Sequence, residues 1–154
     1  MKAIVVDKNS ADGLDYSIQK KIFEENGIEF VLEDCQTEDE IIEKCKDADA
    51  LLVIYRQITP RIMDALEHCK VILRYGIGYD VIDVKAATER GIPVVLCPAA
   101  NARAVAEHTV ALLLACAKNI VESVNETKAG NFGIRNRYAA VDIVDKMLVV
   151  LGFG

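Results

Sequence analysis

Two glycines within residues 74–80 give the clearest chemical signal in the sequence. Gly76 and Gly78 follow an apolar run and lie between Arg74 and Asp80. Glycines let the backbone turn so that successive N–H groups point at one anion, and a carboxylate would fit there. On spacing alone, a tight turn without a ligand is the commoner explanation. Arg74 also has two interpretations, because it could pair with a carboxylate of the fold or cap a helix end.

Two other segments carry polar side chains directly after apolar runs. Arg56 and Gln57 place a fixed cation beside an amide, which suits a substrate bearing phosphate or carboxylate, although an exposed arginine is ordinary. Asn101 follows the last of the runs. Its amide could hold a substrate group or cap the helix that begins there, and capping is the commoner role.

The last residues contain half of a nucleotide-binding pattern. Gly152 and Gly154 match the first two glycines of Gly-x-Gly-x-x-Gly, in which close backbone approach and a helix N-terminus hold a pyrophosphate. Half of this pattern is weak evidence, so we expect that the chain alone does not retain a dinucleotide. His68 and His108 both fall in predicted helices, and we assign neither to catalysis.

The composition excludes several classes of function. The chain has 154 residues, of which 52% are hydrophobic, and this excludes a disordered protein. Its net charge of -6, without a dense cluster of Lys and Arg, argues against nucleic acid as a partner. The five cysteines are scattered without a Cys-x-x-Cys pair, so we expect no metal site and reduced thiols in the cytoplasm. We expect neither a signal peptide nor a membrane span.

Apolar runs and helical spacings indicate the elements that must position these residues. Four runs are apolar at every position, as in parallel strands buried on both faces: 3–6, 50–54, 71–73 and 93–96. Leu14, Ile18 and Ile22 repeat at four-residue spacing and predict a helix that stops at Gly27.

Helix starts are visible between the other runs. Thr37 with Glu40 forms a capping box, and Thr59 precedes a proline suited to the first turn. A short helix is expected after Asp83. This alternation predicts an α/β fold for residues 1–100, an open doubly wound parallel sheet with flavodoxin-like strand order.

The character of the sequence changes at Asn101, where we place a domain boundary. Residues 102–123 predict a long helix that is apolar around most of its circumference and must be buried by more than one neighbour. Residues 125–138 are expected to form a loop, and 146–151 a new buried strand. Because a parallel strand needs a crossover and a partner strand, we expect residues 101–154 to be only part of a second domain.

Three segments in register resemble the D-isomer-specific 2-hydroxyacid dehydrogenases, the family of D-3-phosphoglycerate dehydrogenase, D-lactate dehydrogenase and the glyoxylate reductases. They are residues 74–83, 86–94 and 101–108. The resemblance extends over essentially the whole chain. It implies a flavodoxin-like substrate domain joined by the long helix to a Rossmann domain whose first strand begins at Lys146. Val81 departs from the family, which usually has Asn there.

The resemblance also implies roles for individual residues. Backbone groups of Tyr75, Gly76 and Ile77 would hold a substrate carboxylate, with Ile77 also near the nicotinamide. Arg56 or Gln57 would face the substrate. Four further residues complete the implied site: Asn101 at the substrate, Val105 beside the cofactor, and the pair Gly152 and Gly154 at its phosphates.

The implied function is that of an NAD-dependent, or NADP-dependent, oxidoreductase that interconverts D-2-hydroxy acids and 2-keto acids. The family's catalytic histidine, glutamate and arginine match no residue here, so we name no catalytic residue and expect the chain alone to be inactive. The alternative is a non-catalytic module that dimerises through the long helix. A phosphoacceptor receiver is disfavoured because, of its acids and lysine, only Asp7 is present. A flavodoxin is disfavoured because residues 7–10, after the first strand, would put an acid beside the flavin phosphate.

Overall fold

The computed structural model describes residues 1–10, 13–133, 137 and 139–152. The chain divides into two compact units, Met1–Ala100 and Asn101–Gly154. All strands found in the described residues belong to the first unit.

Five strands form one parallel sheet in the first unit. They are β1 (Lys2–Val5), β2 (Glu29–Leu32), β3 (Ala50–Val53), β4 (Val71–Arg74) and β5 (Val94–Leu96). The strand order is β2-β1-β3-β4-β5, which confirms the predicted flavodoxin-like sheet. Every neighbouring pair is parallel, so the carboxyl ends of all five strands lie at one edge.

Four helices connect these strands. They are α1 (Ser17–Glu25), α2 (Glu38–Cys45), α3 (Pro60–Ala65) and α4 (Val84–Glu89). The predicted caps of α2 and α3 are confirmed, and Asp83 caps α4 in the same way. The side-chain oxygens of Thr37, Thr59 and Asp83 accept hydrogen bonds from backbone N–H groups at 3.2, 3.3 and 2.8 Å.

The predicted helix before Gly27 is also confirmed, but its apolar repeat does not form the packed face. Leu14, Ile18 and Ile22 are exposed. The sheet is contacted instead by Tyr16 and Phe23, whose ring stacks on Phe30 with centroids 4.9 Å apart.

The core lies on both faces of the sheet. Successive strand residues alternate between two clusters, so that Ile4, Leu51 and Ile72 pack on the side of α2, α3 and α4. Ala3, Val5 and Leu52 pack on the side of α1. This double burial explains why the strands are apolar at every position, as the sequence predicted.

The second unit differs from the prediction of one long buried helix. It contains α5 (Ala102–Ala117) and α6 (Ile120–Lys128), separated at Asn119, whose φ of +50° is a left-handed conformation that asparagine tolerates. Neither helix has a buried residue. The loop expected over 125–138 begins later, because α6 continues to Lys128.

The buried strand predicted over 146–151 does not form. The backbone there is irregular, and its apolar side chains are exposed. The physical reason is that a strand requires a neighbour for its N–H and C=O groups, and no other strand occurs among the described residues of this unit. In the described part of the chain, no single helix has the length and hydropathy of a membrane span; α5 and α6 meet these criteria only together, across a 60° bend.

Candidate functional site

The loops that follow β3, β4 and β5 are joined side by side at the carboxyl edge of the sheet. Ile58 and Ile82 form a parallel bridge, with the Ile58 N–H donating to the Val81 carbonyl at 2.8 Å. The Cys97 N–H donates to the Gly76 carbonyl at 2.9 Å. We call residues 54–59 the β3 loop and residues 75–83 the β4 loop. The structure thus brings both predicted substrate segments of the first unit to the same edge.

The β4 loop turns sharply at Gly76, whose φ is +146°. A Cβ at this position would lie 1.3 Å from Nη1 of Arg74, because the guanidinium covers the glycine. Nη1 donates to the Tyr75 carbonyl at 3.0 Å. The sequence left two interpretations of Arg74, pairing with a carboxylate of the fold and capping a helix end. The structure shows neither among the described residues, because the Arg74 side chain donates to the backbone of the loop that follows it.

Two amides of the β4 loop already have acceptors within the fold. The Tyr75 N–H donates to the Val53 carbonyl, and the Gly76 N–H donates to the Arg74 carbonyl, both at 2.9 Å. Among the described residues, no acceptor pairs with the N–H groups of Ile77 and Gly78. The Ile77 side chain is exposed. The N–H groups of Ile77 and Gly78 are thus the first in the loop that remain for an anion, and among the described residues those of Tyr79, Asp80 and Val81 also lack an acceptor.

The family resemblance named only residues 75–77 for the carboxylate, so it did not include the N–H group of Gly78, which has no acceptor among the described residues. The signal that could have found it is strand register. Tyr75 directly follows β4, so its N–H continues the ladder with β3. The first N–H groups that are available then come later in the turn.

The β3 loop places Arg56 beside a polar cleft of about 210 Å³. The cleft is lined by Gln36, Thr37, Glu38, Ile41, Arg56, Gln57 and Thr59. Nη2 of Arg56 donates to Oε1 of Gln36. Glu38 accepts hydrogen bonds from the Thr59 hydroxyl and from Arg61, and the Thr59 bond is the main cause of a lowered pKa of Glu38. The cleft therefore holds a cation on one side and a carboxylate on the other.

The side chain of Tyr75, the first residue of the β4 loop, packs against the core on the α1 side of the sheet. Its ring meets that of Tyr16 edge-on, with centroids 6.3 Å apart. Burial raises the pKa of Tyr75 to about 12, so the hydroxyl stays protonated. Within the described residues this hydroxyl has no hydrogen-bond partner.

Asp7 holds the backbone of the β3 loop by hydrogen bonds and was not selected as a site residue from the sequence. Its side chain is fully buried and accepts hydrogen bonds from the backbone of the β3 loop. The available signal was an acid placed directly after an apolar strand, where burial requires compensation by donors.

The remaining predicted site residues belong to the second unit. Asn101 occupies the N-cap position of α5, but its side chain makes no capping hydrogen bond, so the expectation of a cap is wrong. Val105 on α5 is exposed. Gly152 is exposed with a φ of +88°. Gly154 lies outside the described residues.

A family comparison decides the relationship. The model of the family described as "D-isomer specific 2-hydroxyacid dehydrogenase, catalytic domain" matches residues 10–146. The chain belongs to this family. The resemblance carried by the three sequence segments is thereby confirmed.

Individual members of the family support the same relationship. The chain is 39% identical over 155 residues to a D-3-phosphoglycerate dehydrogenase of Methanocaldococcus jannaschii, covering all of this chain and 28% of the relative. It is 33% identical to a hydroxypyruvate reductase of Thermotoga maritima, covering 93% of this chain and 46% of the relative. The chain thus spans less than half the length of either relative.

Two solved structures share the fold of this chain, with sequence identities near 30%. One is an acyclic imino acid reductase in complex with NADPH and D-Arg, with a TM-score of 0.82 and 29% identity, covering 95% of this chain and 47% of that chain. A second is an NAD+-bound 3-phosphoglycerate dehydrogenase of Entamoeba histolytica, with a TM-score of 0.67 and 30% identity, covering 77% and 39%.

Proposed function

We propose that this chain supplies the substrate-binding part of an NAD-dependent oxidoreductase that interconverts D-2-hydroxy acids and 2-keto acids. The observation that carries the proposal is the pair of available N–H groups at Ile77 and Gly78, on the same edge as Arg56. Two neighbouring N–H donors match the two lone-pair directions of a carboxylate. The Arg56 cation adds a second point of attachment for an acid substrate.

The residues of this chain bind and orient the acid. The β4 loop holds the carboxylate, Gln57 faces the rest of the substrate, and the exposed Ile77 side chain provides an apolar surface beside the reacting carbon. The proposal of Asn101 as a substrate-binding residue rests on the family resemblance alone. Arg56 orients the substrate through its charge. We infer these positions for hydroxypyruvate, glyoxylate or 3-phosphoglycerate, which the names of the relatives suggest.

The described residues of the second unit do not fit a dinucleotide by themselves. A pyrophosphate site requires a strand, a glycine turn and a helix N-terminus in succession, and no strand occurs in this part of the described chain. We therefore infer contacts to NAD or NADP from the family resemblance alone, and they involve Ile77, Val105, Gly152 and Gly154.

The carboxylate site can be tested by titrating the ¹⁵N-labelled 154-residue chain with hydroxypyruvate. We expect the Ile77 and Gly78 amide signals to move downfield and the Arg56 side-chain signals to shift. Hydroxyacetone, in which a methyl group replaces the carboxylate, is the matched control and should leave them unchanged. Equal shifts with both compounds, or shifts confined to other loops, would contradict the proposal.

The chain alone should show no NADH-dependent reduction of hydroxypyruvate, pyruvate or glyoxylate. The reason is that the family's catalytic histidine, glutamate and arginine match none of its residues. A spectrophotometric assay at 340 nm, the wavelength at which NADH absorbs, gives the answer, and measurable turnover would show that this reasoning is wrong.

Exposed apolar residues favour a second function, self-association through α5 and α6, the segment predicted from the sequence as one long helix. On α5 and α6 they include Val110, Leu112, Leu113, Ile120 and Val121. Such a surface is typical of an interface. Sedimentation velocity at micromolar concentration tests this, with Leu112→Glu as the disrupting variant; a clean monomer of the unaltered chain removes the idea.

We also infer a cytoplasmic location. All five cysteines are free thiols, which suits a reducing compartment.

A further inference from the structure

Asp7 makes an unusual set of contacts for an acidic residue in a sheet core. It lies two residues after the end of β1, and its side chain is 0% exposed. The Ile54 N–H donates to Oδ1 at 3.0 Å, while the N–H groups of Tyr55 and Arg56 donate to Oδ2 at 2.7 and 3.0 Å. One carboxylate thus receives three consecutive amides of the β3 loop.

The energetics of burial explain why these contacts belong together. A buried carboxylate without partners is strongly unfavourable, and so are buried N–H groups without acceptors. Here the N–H groups of residues 54–56 offset the cost of burying the carboxylate, and the carboxylate offsets the cost of burying those N–H groups. Hydrogen bonds to a carboxylate are also stronger than those between neutral groups. Among the described residues, all the hydrogen bonds that the carboxylate accepts come from the β3 loop, so it serves as an acceptor for that loop, and its complete burial closes it to a ligand.

The backbone of Asp7 is itself held in place. It forms an antiparallel bridge with Asp34, and the preceding Val6 N–H donates to the Leu52 carbonyl at 3.0 Å. The following Lys8 N–H donates to the Glu33 carbonyl at 2.9 Å. The backbone position of Asp7 is therefore fixed by its neighbours, and its side chain holds the β3 loop through hydrogen bonds.

We propose that Asp7 is a positioning residue that sets the orientation of Arg56 and Gln57 at the substrate edge. This inference rests on the proposed function of the β3 loop. The short aspartate side chain, two residues beyond the end of β1, reaches three successive amides of the loop that follows β3. Asparagine has nearly the same shape but offers one accepting oxygen and presents an NH₂ group to the other donors.

The experiment compares Asp7→Asn with Asp49→Asn in the 154-residue chain. Asp49 is the matched control because it also accepts a backbone N–H, that of Lys2 at 2.8 Å, but precedes β3 at the opposite edge of the sheet. The readouts are hydroxypyruvate affinity by NMR titration, hydrogen exchange of the amides of residues 54–56, and urea denaturation.

We expect Asp7→Asn to weaken hydroxypyruvate binding about tenfold, and to speed exchange of the three amides. We expect Asp49→Asn to leave affinity within about twofold of the unaltered chain, whatever stability it loses. A folded Asp7→Asn protein with unchanged affinity and unchanged exchange would overturn the inference. So would equal losses of affinity in the two variants.

The results that would contradict the proposed function differ from those that would contradict the role of Asp7. If the unaltered chain does not bind hydroxypyruvate, the substrate proposal fails, while faster exchange at residues 54–56 in Asp7→Asn alone still supports the positioning role, and unchanged exchange overturns it. If Asp7→Asn does not fold, exchange in the unaltered chain decides. Protection of all three amides supports the inference, and rapid exchange of any of them overturns it.

Discussion

Replacing Gly76 by alanine tests whether the β4 loop depends on a close approach between backbone and guanidinium. The new Cβ would lie 1.3 Å from Nη1 of Arg74 and 2.6 Å from its Cζ. Because these atoms are at the end of a flexible side chain, we expect Arg74 to swing away while the fold persists. The φ of +146° would then be imposed on a residue with a side chain, which strains the backbone.

The magnitude follows from two contributions. Backbone strain at a conformation that L-residues rarely adopt costs about 1–3 kcal/mol. Loss of the hydrogen bond from Arg74 to the Tyr75 carbonyl costs about 1 kcal/mol. The free energy of unfolding should therefore fall by about 2–4 kcal/mol. In an Arg74→Ala background the alanine should cost about 1 kcal/mol less, since the hydrogen bond is already absent.

Equilibrium urea denaturation followed by circular dichroism measures these values. Gly78→Ala is the control, because its φ is not in the left-handed region and its Cβ would meet Oδ2 of Asp80 at an ordinary 3.5 Å. We expect its stability to change by no more than about 0.5 kcal/mol. Equal effects of the two alanines would refute the argument from close approach, and an unchanged cost in the Arg74→Ala background would refute the part assigned to Arg74.

Three further predictions concern titratable groups. Thr59→Ala should destabilise α3 by about 1 kcal/mol through loss of its cap, measured by urea denaturation. It should also return the lowered pKa of Glu38 toward its ordinary value, which NMR titration of the carboxyl group measures. The stability that this carboxylate contributes is present above its unfolded pKa of about 4.3 and is lost as pH falls through the folded value. The stability of the variant should therefore depend less on pH in that acidic range. Burial raises the pKa of Tyr75 to about 12 in the folded chain, against about 10 when unfolded, so stability should fall as pH rises through that interval. Tyr75→Phe should make this fall smaller in alkaline denaturation curves, while Tyr16 and the buried cysteines, whose pKa values burial also raises, still contribute. Burial raises the pKa of the Cys45 thiol whereas Cys116 is exposed, so iodoacetamide followed by peptide mass spectrometry should find Cys116 modified first; earlier labelling of Cys45 would contradict its burial.

Local chemistry made much of the first unit predictable from the sequence. The caps at Thr37 and Thr59 depend on residues within one helical turn, and the parallel sheet follows from strands that are apolar at every position. The glycines of the β4 loop also identify a turn without further information. In each case the determining interactions are short-range or repeat along the chain.

Long-range contacts decided the details of the site. The prediction that Tyr75 and Gly76 offer N–H groups to a carboxylate requires that these groups have no acceptor, and their acceptors are Val53 and Arg74. The role of Asp7 depends on residues 47 to 49 positions away in the chain. No local pattern reports such pairings, because they arise only when β1 and β3 become neighbours.

The second unit shows the same division most clearly. Residues 146–151 have the composition of a buried strand, and the sequence determines that much. Whether a strand forms depends on a neighbouring strand that accepts and donates its hydrogen bonds, and the described residues of that unit contain none. Composition therefore fixed which segments of this protein are able to be buried, whereas the tertiary structure decided which of them are, because burial and β-pairing are properties of at least two segments brought together.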